Sequence, residues 1–70
     1  MSEIVECHSG FAYAERPLAF TWQGKRLIVG IILAQTRSPD GPRFRVRTED
    51  GQEFELSYHE ARDEWQIQQP

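Results

Sequence analysis

Three places in this 70-residue chain combine residue types that can do nucleophilic or acid–base chemistry. Cys7 and His8 are adjacent, and a thiol beside an imidazole can form a nucleophile–base pair. Neighbouring residues of a strand point to opposite faces, so on the short strand read over residues 4–8 the two side chains diverge. Cys7 then reads as a small hydrophobe. His59 and Glu60 lie in the polar stretch 59–64, where a turn with an exposed histidine is expected. Glu53 and Glu55 share a face, as a hydrolytic pair would, but the register derived below sets an arginine opposite each. They read as solvated surface acids. Gly-rich phosphate loops are absent, and Asp40-Gly41 and Asp50-Gly51 are turn dipeptides. One cysteine permits no internal disulfide, and two histidines add too little for a four-ligand zinc site. The expectation is a protein with no catalytic residues, no cofactor and no metal.

The basic residues are more informative. The net charge of −3 conceals a strong asymmetry. Residues 1–24 carry Glu3, Glu6 and Glu15 against Arg16; residues 25–47 carry Lys25, Arg26, Arg37, Arg43, Arg45 and Arg47 against Asp40 alone. Residues 48–70 carry Glu49, Asp50, Glu53, Glu55, Glu60, Asp63 and Glu64 against Arg62. A basic middle and an acidic end describe either a basic binding face or two segments that neutralise each other. Lys25 and Arg26 surround a hairpin tip beside Trp22, and Arg37 and Arg43 flank what reads as a long loop. These four are the candidate nucleic-acid contacts, since cations near an aromatic can hold phosphates and stack bases. Against that reading, Trp22 also continues the core-facing series of Leu18 and Phe20, and the isoelectric point is near 5.2.

The elements that position these residues are strands. Period-two alternation recurs at Leu18-Phe20-Trp22, Phe44-Val46, Phe54-Leu56-Tyr58 and Trp65-Ile67. Turn signals separate the runs at Gln23-Gly24, Ser38-Pro39-Asp40-Gly41-Pro42 and Glu49-Asp50-Gly51. Directly opposed residues of an antiparallel pair share a face. A two-residue turn at Asp50-Gly51 would set Val46 against Glu55. A three-residue loop Glu49-Asp50-Gly51, with Gly51 at positive φ, instead pairs Thr48 with Gln52, Val46 with Phe54 and Phe44 with Leu56. Its outer face pairs Arg47 with Glu53 and Arg45 with Glu55. A one-residue slip reverses every side chain, so the second register is expected. By the same test Gln23-Gly24 pairs Phe20 with Leu27 and Leu18 with Val29. A return after Tyr58 pairs Tyr58 with Trp65 and Leu56 with Ile67, through a turn or a short helix over residues 59–64.

The expected fold is therefore all-β: a small antiparallel meander of five to six strands curled into a barrel-like sheet. Residues 1–70 form a single small β domain. The expected core is Phe20, Trp22, Val29, Ile31, Phe44, Val46, Phe54 and Leu56. No apolar run reaches the ~18–20 residues of a membrane helix. The acidic start lacks a signal peptide's basic region, and with the lone cysteine this points to a cytoplasmic protein with no membrane partner.

The run from Leu27 to Leu33 is apolar on both alternating faces, as in a central strand covered on both sides. Gly30 in its middle marks a bulge or bend. Ile28 and Ile32 are expected to point away from the core as an apolar stripe, the candidate protein-interaction surface. Residues 4–5 pairing as an added strand, with Phe11 and Tyr13 folding back, would cover it. A second copy of the chain would cover it as a homodimer.

The sequence also carries Glu15-Arg16-Pro17, Phe20-Thr21-Trp22-Gln23-Gly24, Phe44-Arg45-Val46, Glu55-Leu56-Ser57-Tyr58 and Trp65. In these motifs, over about residues 15–67, it resembles a family of small bacterial domains of unknown function. Some members of that family look to be encoded beside, or fused to, proteins similar to Y-family DNA polymerases. The resemblance implies an accessory of nucleic-acid metabolism, in contact with nucleic acid or a nucleic-acid-processing protein. It transfers no catalytic residues. In many relatives the strand after Trp-x-Gly is basic and more polar, whereas here it is the apolar run 27–32.

Overall fold

The computed structural model of the protein describes residues 4–7 and 16–70. Its elements are β1 (Val5–Cys7), β2 (Pro17–Trp22), β3 (Lys25–Ser38), β4 (Gly41–Thr48), β5 (Glu53–His59) and β6 (Glu64–Gln68). Each pairs antiparallel with the next, giving one six-stranded meander in the order β1 to β6. The sheet curls into a half-barrel. In a flat sheet β2 and β5 would lie roughly 14 Å apart, three strand spacings. Instead the Phe20 and Phe54 rings meet at 5.0 Å and the Trp22 and Phe54 rings at 5.3 Å, both edge to face.

The hairpins follow from their turns. Gln23 and Gly24 both have positive φ (51° and 79°). That is the two-residue turn whose twist matches paired strands, and it sets Phe20 opposite Leu27. Gly51 has φ 93°. Thr48 N–H donates to the Gln52 carbonyl at 2.7 Å, and Val46 lies opposite Phe54 and Phe44 opposite Leu56. Thr48 Oγ1 and the Gln52 side chain both donate to the Asp50 carboxylate, tightening this loop. Tyr58 faces Trp65 and Leu56 faces Ile67. Residues 60–63 are successive turns rather than a helix, with Asp63 at φ 52° and accepting from the Tyr58 hydroxyl.

The presumed long loop after Arg37 is a tight hairpin, because β3 and β4 stay paired up to Ser38 and Gly41. Its tip is clasped by the β5–β6 turn: Glu60 N–H donates to the Asp40 carbonyl at 2.9 Å, and Arg37 binds Glu60 at 2.8 Å.

Phe20, Leu27, Phe44, Val46, Phe54, Leu56 and Ile67 form the buried core. Val5, Trp22, Val29, Ile32 and Trp65 pack against it half-buried. Two expectations on β3 need correction. Ile31 is not in the core but 53% exposed, and Ile32 does not point away from it. The cause is a bulge at Gly30. Val29 lies opposite Thr48 and Ile31 opposite Arg47, so two residues of β3 oppose one of β4 and the alternation reverses. Ile32 then faces the buried Val46, and Ile31 joins the outward side of Arg47. A second irregularity leaves Leu33 between Ile32 and Ala34, 39% exposed.

These bulges bend β3 sharply. Fourteen residues would extend about 46 Å if straight, yet the longest dimension of the molecule is 31 Å. Residues 25–28 pair with β2, and from Val29 onward β3 pairs with β4. The expected pairing of Leu18 with Val29 is absent, because β2 and β3 have parted there. Among the described residues, no second strand covers the far side of β3 beyond Ile28. The expected cover by Phe11 and Tyr13 lies outside the described residues, as does His8, while Val5 does pair as an added strand, opposite Phe20 on β2.

Candidate functional site

Acidic and basic segments are brought side by side by the meander, and this decides which cations remain available. Arg26 is clamped by Glu6 of β1 through two hydrogen bonds, at 2.7 and 2.9 Å. That bond holds the Glu6 carboxyl below its ordinary range and raises the Arg26 guanidinium. Arg37 is held by Glu60, Arg47 by Glu53 at 3.0 Å, and Arg62 by Glu64 at 3.3 Å. Of the four candidate nucleic-acid residues, Arg26 and Arg37 are therefore neutralised by carboxylates of distant segments. Lys25 and Arg43 have no acidic partner among the described residues. The four do not form one patch, since Lys25 and Arg26 sit at one end of β3 and Arg37, with Arg43 near it in register, at the other.

A different set converges. Alternation along β4 puts Arg43, Arg45 and Arg47 on its exposed outer side, spaced by ~6.8 Å per step. Arg45 is opposite Glu55 in register, as expected, yet makes no ion pair with it. Small residues flank the column: Ala34 and Thr36 on β3, opposite Arg45 and Arg43, and the buried Ser57 on β5. This leaves a shallow cavity of about 190 Å³ bordered by Ala34, Thr36, Arg43, Arg45 and Glu55.

Arg45 and Glu55 also border a second cavity of about 350 Å³, which Trp22, Gln68 and Gln69 help to line. Lys25 lies directly opposite Trp22 across the β2–β3 hairpin. The surface thus combines cations without acidic partners, an aromatic edge, amide side chains and one carboxylate. Arg45 was missed as a site residue because a carboxylate stood opposite it. The uninterrupted alternation Arg43-Arg45-Arg47 was the signal that could have found it.

The chemical pairs considered from sequence gain little. Cys7 is half-buried on β1 and makes no disulfide. His59 is within 3.2 Å of Gln66, across from it on β6. Glu53 is paired to Arg47. Among the described residues no three His, Cys, Asp or Glu side chains gather to hold a metal ion. No helix among them is long and apolar enough to cross a membrane.

A third cavity, of about 410 Å³, opens where β2 and β3 part, lined by Arg16, Pro17, Leu18, Val29, Gly30, Ile31 and Ile32. Leu18 and Ile31 of this lining are exposed, as is Leu33 further along β3; Ile4, before β1, is exposed too. The Leu18/Ile31 surface replaces the Ile28/Ile32 stripe, since Ile28 is half-buried and Ile32 packs on the core.

Fold and surface together define a small all-β half-barrel with a cationic outer sheet face and an apolar fork at its open side. No family model, curated protein or solved structure matches the chain.

Proposed function

We propose that this protein is a non-enzymatic β module, an accessory in nucleic-acid metabolism, that contacts a short stretch of single-stranded nucleic acid on the outer face of β4. One observation carries the reading. Arg43 and Arg45, free of carboxylate partners, border adjoining cavities, one of which reaches Trp22. Arginines at strand spacing suit successive phosphates, and an aromatic edge offers a stacking surface that tolerates any base. Gln68, Gln69 and Glu55 add donors and acceptors for base edges. The acidic remainder of the protein repels polyanions, so the affinity is low and strongly dependent on salt. Such a module works as one part of a larger assembly.

The test is fluorescence anisotropy of labelled oligothymidylate against salt concentration. Binding at low salt is expected, with quenching of Trp22 emission in a Trp65→Phe background. Replacing Arg43 and Arg45 by alanine should reduce the salt slope by about 1.4, from ~0.7 per lost phosphate contact. No binding at low salt, or a slope unchanged by both substitutions, would refute the proposal.

A further inference from the structure

The fork between β2 and β3 is a second surface, independent of the arginine face. We infer that the open edge of β3 takes an extended, acidic peptide strand from another protein, laid beside residues 29–34, with aliphatic side chains in the fork and a carboxylate on Arg16. Three observations converge on it. First, β3 beyond Ile28 has a strand partner on its β4 side only, among the described residues. An unpaired edge presents backbone donors and acceptors, and adding a strand is the standard way to satisfy them.

Second, the edge is apolar where it opens. Leu18 is 44% exposed, and with Ile31 it lines the cavity of about 410 Å³. That volume lies within the range of ligand sites. Edge strands usually protect themselves with charge or proline. Gly30 to Gln35 carries neither.

Third, charge selects the occupant. Residues 29–34 of β3 carry no charge, and Arg26 and Arg37 already hold Glu6 and Glu60, so the cation left to select an occupant is at the fork's rim. Arg16 stands at the rim of the fork with no acidic partner among the described residues. Two copies joined β3 to β3 along residues 29–34 would bring together two uncharged stretches, and neither strand would supply a carboxylate for Arg16. A strand from another protein that carries a carboxylate as well as aliphatic residues supplies it.

Phage-displayed random octapeptides, panned against the full chain, provide the test. Enriched sequences should alternate aliphatic residues and carry Asp or Glu. Synthetic versions should bind the wild-type chain in anisotropy and lose about tenfold in affinity to Ile31→Lys. Arg16→Glu should lose similarly for acidic peptides and shift the selection toward Lys or Arg. Both sites are exposed, so the variants should keep the parent melting midpoint; Leu33→Lys is the substitute if one does not.

Three results would overturn the inference. The first is no enrichment, or enrichment indifferent to Ile31→Lys. The second is a dimer in light scattering that Ile31→Lys dissociates, which would assign the edge to a second copy. The third is peptide binding that emerges only after Phe11→Ser and Tyr13→Ser, which would assign the fork to the chain's own residues.

Discussion

The β4–β5 hairpin and the β2–β3 fork begin from similar sequence patterns and end differently. In the hairpin, the inward positions Phe44, Val46, Phe54 and Leu56 are all buried, and every outward position in the paired stretch is charged or small. A glycine at positive φ fixes the register, and Arg47–Glu53 supports it from outside. The β2–β3 pair also starts from a well-formed turn, with Phe20 on Leu27. It lasts only to Ala19 and Ile28. β3 has aliphatic residues on both faces, so nothing in its alternation penalises a slip. The bulge at Gly30 turns Ile32 inward and leaves Ile31 outside. Pattern closes a pair when only one face is apolar; when both are, the neighbouring strands decide.

The sharpest way to break this comparison is to remove a core residue of the closed side. Phe54 is fully buried and touches the rings of both Phe20 and Trp22. Phe54→Ala should cost ~3–5 kcal/mol, enough to unfold a small domain of ordinary stability. A cooperative melt near the parent midpoint would show that the two sides are not joined through this ring.

Next in size is Gly41, at the β3–β4 turn. A Cβ there would come within 2.2 Å of the Tyr58 carbonyl oxygen, at a φ of 148° that L residues rarely adopt. Backbone strain alone is worth ~1–3 kcal/mol, and the overlap adds to it. Gly41→Ala should therefore melt well below Gly51→Ala. The latter meets nothing within 4 Å and loses only the ~1–2 kcal/mol of a left-handed residue. Equal midpoints for the two variants would contradict the clasp between the hairpin tip and the β5–β6 turn.

Acid should then weaken both the β4–β5 loop and the contact of β1 with Arg26. Hydrogen bonds from Thr48 and Gln52 hold Asp50 below its ordinary range, and the bond from Arg26 does the same for Glu6. Each folded-state pKa is depressed, so the stability contributed is present above the ordinary carboxylate range. It is lost as pH falls through that range toward the depressed value. Asp50→Asn and Glu6→Gln should each flatten the fall of the melting midpoint on the acid side and leave little change in its pH dependence near neutrality. Acid profiles indistinguishable from the parent would remove these bonds from the account.

Smallest of all is the expected effect at the fork. Ile31→Lys should change stability by less than about 0.5 kcal/mol, as for an exposed position. A large loss, measured by denaturant titration, would mean that Ile31 is covered and the fork is not open.

The sequence by itself determined what is local. Gln23-Gly24 and Glu49-Asp50-Gly51 specify their turns through backbone conformation, and the turn sets the register of the strands beside it. Hence Val46 on Phe54, Leu56 on Ile67 and Arg47 on Glu53 were legible, and so was most of the core. Only the tertiary structure decided which arginines remain available, because Glu6 and Glu60 reach Arg26 and Arg37 from segments 20 and 23 residues away. It also decided which isoleucine faces inward. Ile31 and Ile32 are equally apolar, so their side chains carry no preference. The choice falls to the bulge, whose position depends on how a long strand bends to pair with β2 at one end and β4 at the other.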